Sequence, residues 1–138
     1  MITNADGRDH SVATLELSRS LARALRHYSS KVEAMRAAES RYRQVVLTES
    51  LRNAGKASGK SRRRVDAAFD ALVDAVVELQ RGQHEVVVLA EDEGLTPSSL
   101  GALDPACEAA DRECAGYLAA RTYGQVREAV EREPLPLR

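Results

Sequence analysis

The stretch that decides the fold is NAGKASGKS, residues 53–61, which gathers two glycines and two serines. It follows a segment from Val12 to Arg52 that contains neither Gly nor Pro. Gly and Ser are the residues that commonly end one helix and begin the next. We therefore expect a turn at residues 54–61 between two helices.

Apolar residues on both sides of this turn recur in alternating steps of four and three, which is the spacing of a coiled-coil seam. The pattern predicts helix A over residues 12–53 and helix B over residues 62–93. Val86, Val87 and Val88 favour a strand because they are β-branched, but they stay in phase with helix B. The seam positions are Leu21, Leu25, Tyr28, Val32, Met35, Glu39, Tyr42 and Val46, then Val65, Phe69, Leu72, Val76, Leu79, Gln83, Val86 and Ala90.

Two matching seams joined by a short turn are expected to fold back on each other. If the chain reverses near Ala57, facing residues have numbers that total about 114. This register pairs basic residues of the first half with acidic residues of the second. Residues 1–64 hold 14 Lys and Arg against 6 Asp and Glu, and residues 65–138 hold 6 against 15.

The C-terminal part contains two helix starts, Thr96-Pro97 and Asp104-Pro105, each a capping residue followed by Pro at the first helical position. They predict a short helical turn at 97–102 and helix C at 105–132. The whole chain, 1–138, is then one all-α domain: a long antiparallel helical hairpin, coiled-coil-like, with a third C-terminal helix that makes a three-helix bundle. Helix C packs on its own hairpin or swaps onto a second copy.

Composition favours a narrow core, because only 4% of the 138 residues are aromatic and Trp is absent. The longest apolar run, Val86 to Ala90, is far shorter than the ~20 residues of a membrane span. The N-terminal residues lack the pattern of a secretory signal. We expect a soluble cytoplasmic protein, with signal-less export as the alternative.

Several chemistries are not expected. Gly55 to Ser61 resembles a phosphate-binding loop, but three residues separate the glycines where that motif has four, and a helix precedes it in place of a strand. Cys107 and Cys114 are seven residues apart in predicted helix C, about 10 Å along its axis, which is too far for a disulfide. We interpret both as packing residues and expect no metal, no cofactor and no enzymatic activity.

Histidine and seam-breaking polar residues have ordinary interpretations. His27 and His84 fall at outward helix positions without a phosphotransfer motif, which indicates surface residues. Glu39 and Gln83 interrupt the two seams, where a polar residue usually fixes register or partner number. At the expected register, Glu39 lies near Val76 and does not face Gln83.

The hairpin tip is strongly basic, since no acidic residue occurs between Glu49 and Asp66. Three arginines open predicted helix B, where the helix dipole disfavours cations. The pattern predicts contact with a polyanion or an acidic partner; a solvated, solubilising loop is the alternative. The six cations of this basic tip are Arg52, Lys56, Lys60, Arg62, Arg63 and Arg64.

Helix B also carries a second apolar line outside the seam, formed by Val73, Val77, Val87 and Val88. The C-terminal segment, a partner protein or a second copy could cover this line. We therefore interpret the chain as a non-enzymatic protein–protein interaction or assembly module, an adaptor or a subunit of a larger complex. The alternative is a nucleic-acid-binding or polyanion-binding helical subunit that uses the basic tip.

Overall fold

The computed structural model describes residues 17–53 and 59–132, and the regular elements within them are all helices. Two long helices pack against each other, as the heptad spacing predicts. Shorter helices follow them in the C-terminal part. The elements are α1 (Arg19–Asn53), α2 (Gly59–Asp92), α3 (Pro97–Leu103), α4 (Pro105–Glu113), α5 (Ala115–Ala119) and α6 (Tyr123–Arg132).

The interface between α1 and α2 is built from the predicted seam residues. Leu21, Leu72 and Leu79 are fully buried, and Tyr28 and Met35 are nearly so. Burying one such side chain stabilises the fold by about 1.5–3 kcal/mol relative to leaving it in water. A row of them over more than nine turns makes this seam the centre of the core.

Ion pairs across the two long helices show their antiparallel register. Lys31 Nζ lies 3.5 Å from Glu78 Oε1, and Arg64 Nη1 lies 3.0 Å from Glu49 Oε1. The paired residue numbers total 109 and 113, which is close to the expected value of about 114. The register read from the seams is therefore displaced by only a few residues.

Gly82 lies where α2 approaches α1 closely. A Cβ atom at this position would lie 3.3 Å from the Cα atom of Tyr28. Gly is unfavourable inside a helix by about 1 kcal/mol relative to Ala, and here its missing side chain lets the two backbones come together. Tyr28 can then point toward the C-terminal helices.

The ends of α2 differ in part from the prediction. The helix begins at Gly59, three residues before Arg62, and it includes the three valines at 86–88. Its C-terminal end is a Schellman motif: Gly94 has φ +74°, and the N–H of Leu95 donates to the carbonyl of Ala90. The predicted helical residues 12–16 and the turn residues 54–58 lie outside the described residues.

The prediction of one continuous helix C over residues 105–132 is wrong, because the structure divides this segment into α4, α5 and α6. The break before α6 has an identifiable cause. Thr122 Oγ1 accepts a hydrogen bond from the N–H of Gln125, and Gln125 Oε1 accepts one from the N–H of Arg121. This is the Ser/Thr-x-x-Glu/Gln signature of a helix start.

The earlier starts in the C-terminal part agree with the sequence. Thr96 Oγ1 accepts a hydrogen bond from the N–H of Ser99, and Asp104 Oδ1 accepts one from the N–H of Cys107. The helix α3 occupies Pro97–Leu103, where a short helical turn at 97–102 is predicted.

The C-terminal helices pack on the hairpin of their own chain. The Tyr28 hydroxyl donates to Asp111 of α4, and Arg43 Nη2 donates to the carbonyl of Val130 in α6 at 2.7 Å. The guanidinium carbon of Arg127 in α6 lies 4.2 Å from the ring centre of Phe69 in α2. These contacts define a covered side of the hairpin. Among the described residues, no helix is long and apolar enough to cross a membrane.

Candidate interaction surface

The predicted basic tip lies where α1 ends and α2 begins. Lys56 lies outside the described residues. The other five cations are all exposed: Arg52, Lys60, Arg62, Arg63 and Arg64. The structure therefore brings together the described part of this predicted site.

A buried carboxylate at the boundary of the basic stretch partners two of these cations. Glu49 is buried; its carboxylate lies 3.0 Å from Arg64 and 3.7 Å from Arg52. The buried hydroxyl of Ser61 also donates a hydrogen bond to it. Part of the positive charge on Arg52 and Arg64 is thus balanced inside the tip.

The same contacts set the pKa of Glu49. Burial acts to raise this pKa, because it penalises the charged form. The hydrogen bonds from Ser61 and Arg64 and the charges of Arg64 and Arg52 outweigh that effect, so the pKa of Glu49 falls below its ordinary 4.5. The ionised carboxylate joins the end of α1 to the beginning of α2.

Because α2 begins at Gly59, fewer of the predicted cations lie in its first turn, where the helix dipole disfavours positive charge. The first turn contains Lys60 and Arg62 and no acidic residue, while Arg63 and Arg64 follow it. The effect of the helix dipole fades within the first turn. The helix dipole therefore disfavours two cations, Lys60 and Arg62, and not the three arginines of the prediction.

Two leucines near the end of α1 are exposed, although apolar. Leu47 is 54% exposed and Leu51 is 74% exposed. They are four residues apart, so they are neighbours on the helix surface. Neither leucine is among the predicted site residues, although the sequence holds a signal for them: neither fits the seam spacing of α1. The exposed residues Leu47, Leu51, Arg52, Lys60, Arg62 and Arg63 are called the tip surface below.

A groove of about 740 Å³ runs between α1 and α2 beside this tip. Its floor is apolar and small, because it is formed largely by Val45, Ala67, Ala68 and Ala71. Around the floor stand three arginines with the buried carboxylate of Glu49 between two of them. We call it the arginine groove, after Arg41, Arg52 and Arg64.

The predicted apolar stripe is only partly available. Val73 is buried in the core cluster, so its assignment as a partner-facing residue is wrong. The reason is that α6 packs over this part of α2, where Arg127 and Tyr123 approach Phe69, one helical turn before Val73. The other three members, Val77, Val87 and Val88, are 37–39% exposed.

The two polar residues that interrupt the seams have different surroundings. Glu39 accepts a hydrogen bond from the hydroxyl of Tyr117, and Arg43 lies 3.5 Å from its carboxylate. These three residues anchor the C-terminal helices to α1, which gives Glu39 a structural role. Gln83 is half-buried and lines a separate cavity of about 410 Å³ beside α3 and α4.

The cysteines are buried and have free thiols. Burial, together with the charges of Asp111 and Asp104, raises the pKa of Cys107 from 9.0 to about 12. A thiol with so high a pKa is protonated at neutral pH and is a poor nucleophile. Tyr28 is similar, since burial and its hydrogen bond to Asp111 raise its pKa above the ordinary value.

The described histidines lie at the surface, where the outward spacing predicts them. His27 Nδ1 is 3.9 Å from Glu85 Oε1, and both side chains are more than half exposed. His84 is exposed on α2. No group of three or more His, Cys, Asp or Glu residues that could hold a metal ion occurs within residues 17–53 and 59–132.

The described surface thus offers charge and exposed apolar side chains close together at one end of the hairpin. No protein-family model, no curated protein and no solved structure matches the chain. The tip surface and the arginine groove are therefore the features of this chain that bear on its function.

Proposed function

We propose that this chain is a non-enzymatic interaction or assembly module, an adaptor or a subunit of a larger complex, that contacts another protein through its hairpin tip. The observation that carries the proposal is the exposed pair Leu47 and Leu51 among exposed cations. Exposed apolar side chains rimmed by polar residues commonly mark protein–protein contacts. In this proposal the long seam acts as a coiled-coil-like support that presents the tip at one end of the hairpin.

Affinity capture from the native host tests this proposal. The full chain is immobilised beside a Leu47→Ser/Leu51→Ser variant and a Val77→Ser/Val88→Ser variant. We expect the first variant to lose the captured protein and the second to retain it. The exposed leucines carry little of the stability of the fold, so both variants should unfold near the wild-type temperature.

The two variants also separate the tip from the predicted apolar stripe. Loss of the partner only in the Val77→Ser/Val88→Ser variant would move the interface to the outer face of α2. If all three forms capture the same proteins, the tip is not the contact and the proposal is wrong. Pairing with a second copy is checked by light scattering over a range of concentrations. The cytoplasmic location stays a prediction.

A second candidate function is polyanion or nucleic-acid binding through Lys60, Arg62 and Arg63. The observation that favours it is that these three exposed cations have no acidic residue in the first turn of α2 to balance them. Such binding weakens steeply as salt rises, because each phosphate contact releases counterions. Replacing all three by Ala should abolish retention on a polyanion column; unchanged elution would remove this candidate.

A further inference from the structure

The arginine groove lies on the open side of the hairpin. Arg43, which donates to Val130 of α6, is two residues from Arg41, so the two side chains project about 200° apart around α1. Arg41 lines the groove, while Arg43 faces the covered side. The C-terminal helices therefore leave this face of α1 and α2 without a cover.

The residues that line the groove carry an excess of positive charge. Three arginines and one carboxylate, that of Glu49, line the groove. The carboxylate already contacts Arg64, Arg52 and Ser61. Arg41 is exposed, and it forms no ion pair with another residue in the described ranges. On the α1 edge, the charge of Arg41 is uncompensated, and it favours an occupant that carries carboxylates or phosphates on that edge.

The floor of the groove restricts what the occupant is made of. Ala67, Ala68 and Ala71 are small, so the backbone of another helix can approach closely over them. None of the residues lining the groove is aromatic, and stacking on aromatic rings is the usual way in which single-stranded nucleic acid covers an apolar surface. An aliphatic floor under an arginine rim instead suits an amphipathic helix, which buries its apolar face in a groove.

A second copy of the chain fits this groove less well. Pairing two open sides with their tips together would place Arg52, Lys60, Arg62 and Arg63 of both copies next to each other. Like charges at an interface disfavour association. The reverse arrangement would lay the basic α1 of one copy over the basic α1 of the other.

We infer that the arginine groove docks an acidic amphipathic helix of a partner protein; this inference rests on the proposed function and names its partner's chemistry. The groove is lined from Arg41 to Arg52, about 17 Å of helix at 1.5 Å per residue. The docked segment is therefore about three turns long. Its apolar residues lie on the alanine floor.

The charge of the rim also sets the orientation of the docked helix. Asp70 and Asp74 do not line the groove; they are exposed on α2, each three residues beyond an alanine of the floor, which places them next to it on the α2 side. Arg41 and Arg52 border it on the α1 side. The carboxylates of the partner helix accordingly face α1 and the tip, and its other edge is neutral or basic.

Selection from a random library of helix-forming peptides, using the full chain as bait, tests the inference. We expect the selected peptides to share apolar residues at helical spacing and carboxylates along one edge. Arg41→Glu should lower the affinity of these peptides about three- to tenfold, since an exposed ion pair is lost and a like-charge contact replaces it. Ala71→Tyr should weaken them further, because its ring fills the floor.

Two matched variants control for general effects of the substitutions. Arg23→Glu makes the same charge change on α1 about 27 Å from Arg41, and Ala102→Tyr adds the same ring to an exposed alanine of α3. Both should leave peptide affinity unchanged. Circular dichroism should show the same unfolding temperature for all four variants within a few degrees.

Several outcomes would overturn the inference. These are an absence of selected peptides, selected peptides without acidic bias, or binding that Arg41→Glu and Ala71→Tyr leave unchanged. Binding of a 15-nucleotide DNA strand that both groove variants abolish, without acidic peptides, would assign the groove to nucleic acid. A concentration-dependent dimer that Ala71→Tyr breaks would assign it to a second copy.

The inference and the proposed function can fail separately. If a host partner depends on Leu47 and Leu51 but binds Arg41→Glu and Ala71→Tyr normally, the module is an interaction protein and the groove is not its docking site. If acidic helices bind the groove and the leucine variant still captures every host protein, the groove assignment holds and the proposed role of the tip leucines is wrong.

Discussion

The two sides of the hairpin use the same pair of helices in opposite ways. On the covered side, long polar side chains reach the C-terminal helices: Tyr28 to Asp111, Glu39 to Tyr117, and Gln80 to two backbone carbonyls. On the open side, alanines leave a groove and arginines stand around it. The comparison indicates that one face packs against the C-terminal helices, whereas the other contacts no further helix within residues 17–53 and 59–132.

The seam that supports both sides should give the largest effect. Leu79→Ala removes a fully buried side chain and leaves a cavity, which costs about 2–5 kcal/mol of the free energy of unfolding. Leu47→Ala removes the same atoms from an exposed position and should change it by less than about 0.5 kcal/mol. Urea unfolding followed by circular dichroism measures both. Equal effects would mean that the seam is not the core.

Substitutions at two glutamines, one on each side of the hairpin, allow a direct comparison of the two sides. Gln80 Nε2 donates to the carbonyls of Tyr117 and Ala120, at 2.9 and 2.6 Å, where the chain turns between α5 and α6. Gln80→Leu removes both hydrogen bonds and should cost about 1–3 kcal/mol of unfolding free energy, since each bond contributes about 0.5–1.5 kcal/mol. The carbonyls keep one other donor each, the N–H of Ala120 for Tyr117 and Arg121 Nη1 for Ala120.

The matched change on the open side is Gln44→Leu, at an exposed position that lines the arginine groove. It should change stability by less than about 0.5 kcal/mol. Hydrogen exchange gives a second measurement, since only Gln80→Leu should speed exchange in residues 115–132. Faster exchange there in the Gln44→Leu variant would contradict the separation of the two sides.

Sequence reasoning reached the hairpin because its signal is long and regular. The spacing from Leu21 to Ala90 predicts both helices, and the register follows from where the chain reverses. Short segments carry weaker signals: helix C was predicted as continuous because Thr122 and Gln125 were not interpreted as a capping pair. The length of the predicted helix outweighed a two-residue signature, and the break at residues 120–122 was missed.

The candidate site was predictable in charge but not in geometry. The six cations of the tip are evident in the sequence, yet the pairing of Glu49 with Arg64 joins residues on different helices and depends on the exact register. The arginine groove was missed for the same reason. Arg41 and Ala71 share a surface only once the two helices lie side by side, and alanines carry no chemical signal in a sequence.

The two sides should also respond to pH at opposite ends of the scale. On the covered side, folding raises the pKa of Cys107 from 9.0 to about 12 and raises that of Tyr28. A raised pKa in the folded state means stability that is complete below the unfolded pKa and is lost as pH increases. We expect the free energy of unfolding to fall between pH 9 and pH 12.

The alkaline loss should become smaller in a Cys107→Ala variant, which has no thiol to ionise. Urea titrations at intervals of half a pH unit would show this. The Cys114→Ala variant is a comparison at the other buried cysteine, a thiol of the same kind. An alkaline profile that Cys107→Ala leaves unchanged would mean that ionisation of Cys107 contributes nothing to it.

At the tip, the acid side of the profile should depend on Glu49. Its pKa is lowered by folding, so its contribution is present above its ordinary 4.5 and is lost as pH falls below that value. Glu49→Gln should therefore be less stable than the wild type at pH 7, with the difference shrinking toward pH 3. A constant difference across this range would show that the Glu49 charge is not what joins the two helices.

The smallest effect expected is also the one that separates function from stability at the tip. Lys60 lies exposed in the first turn of α2, where the helix dipole favours an anion. Lys60→Glu should raise the free energy of unfolding by about 0.3–1 kcal/mol, and Lys60→Gln by part of that amount. The same substitutions should weaken binding of the partner or of a polyanion. If Lys60→Glu stabilises the fold and weakens binding, the positive charge of Lys60 serves binding and not folding. If Lys60→Glu destabilises the fold, the positive charge instead contributes to the structure of the tip.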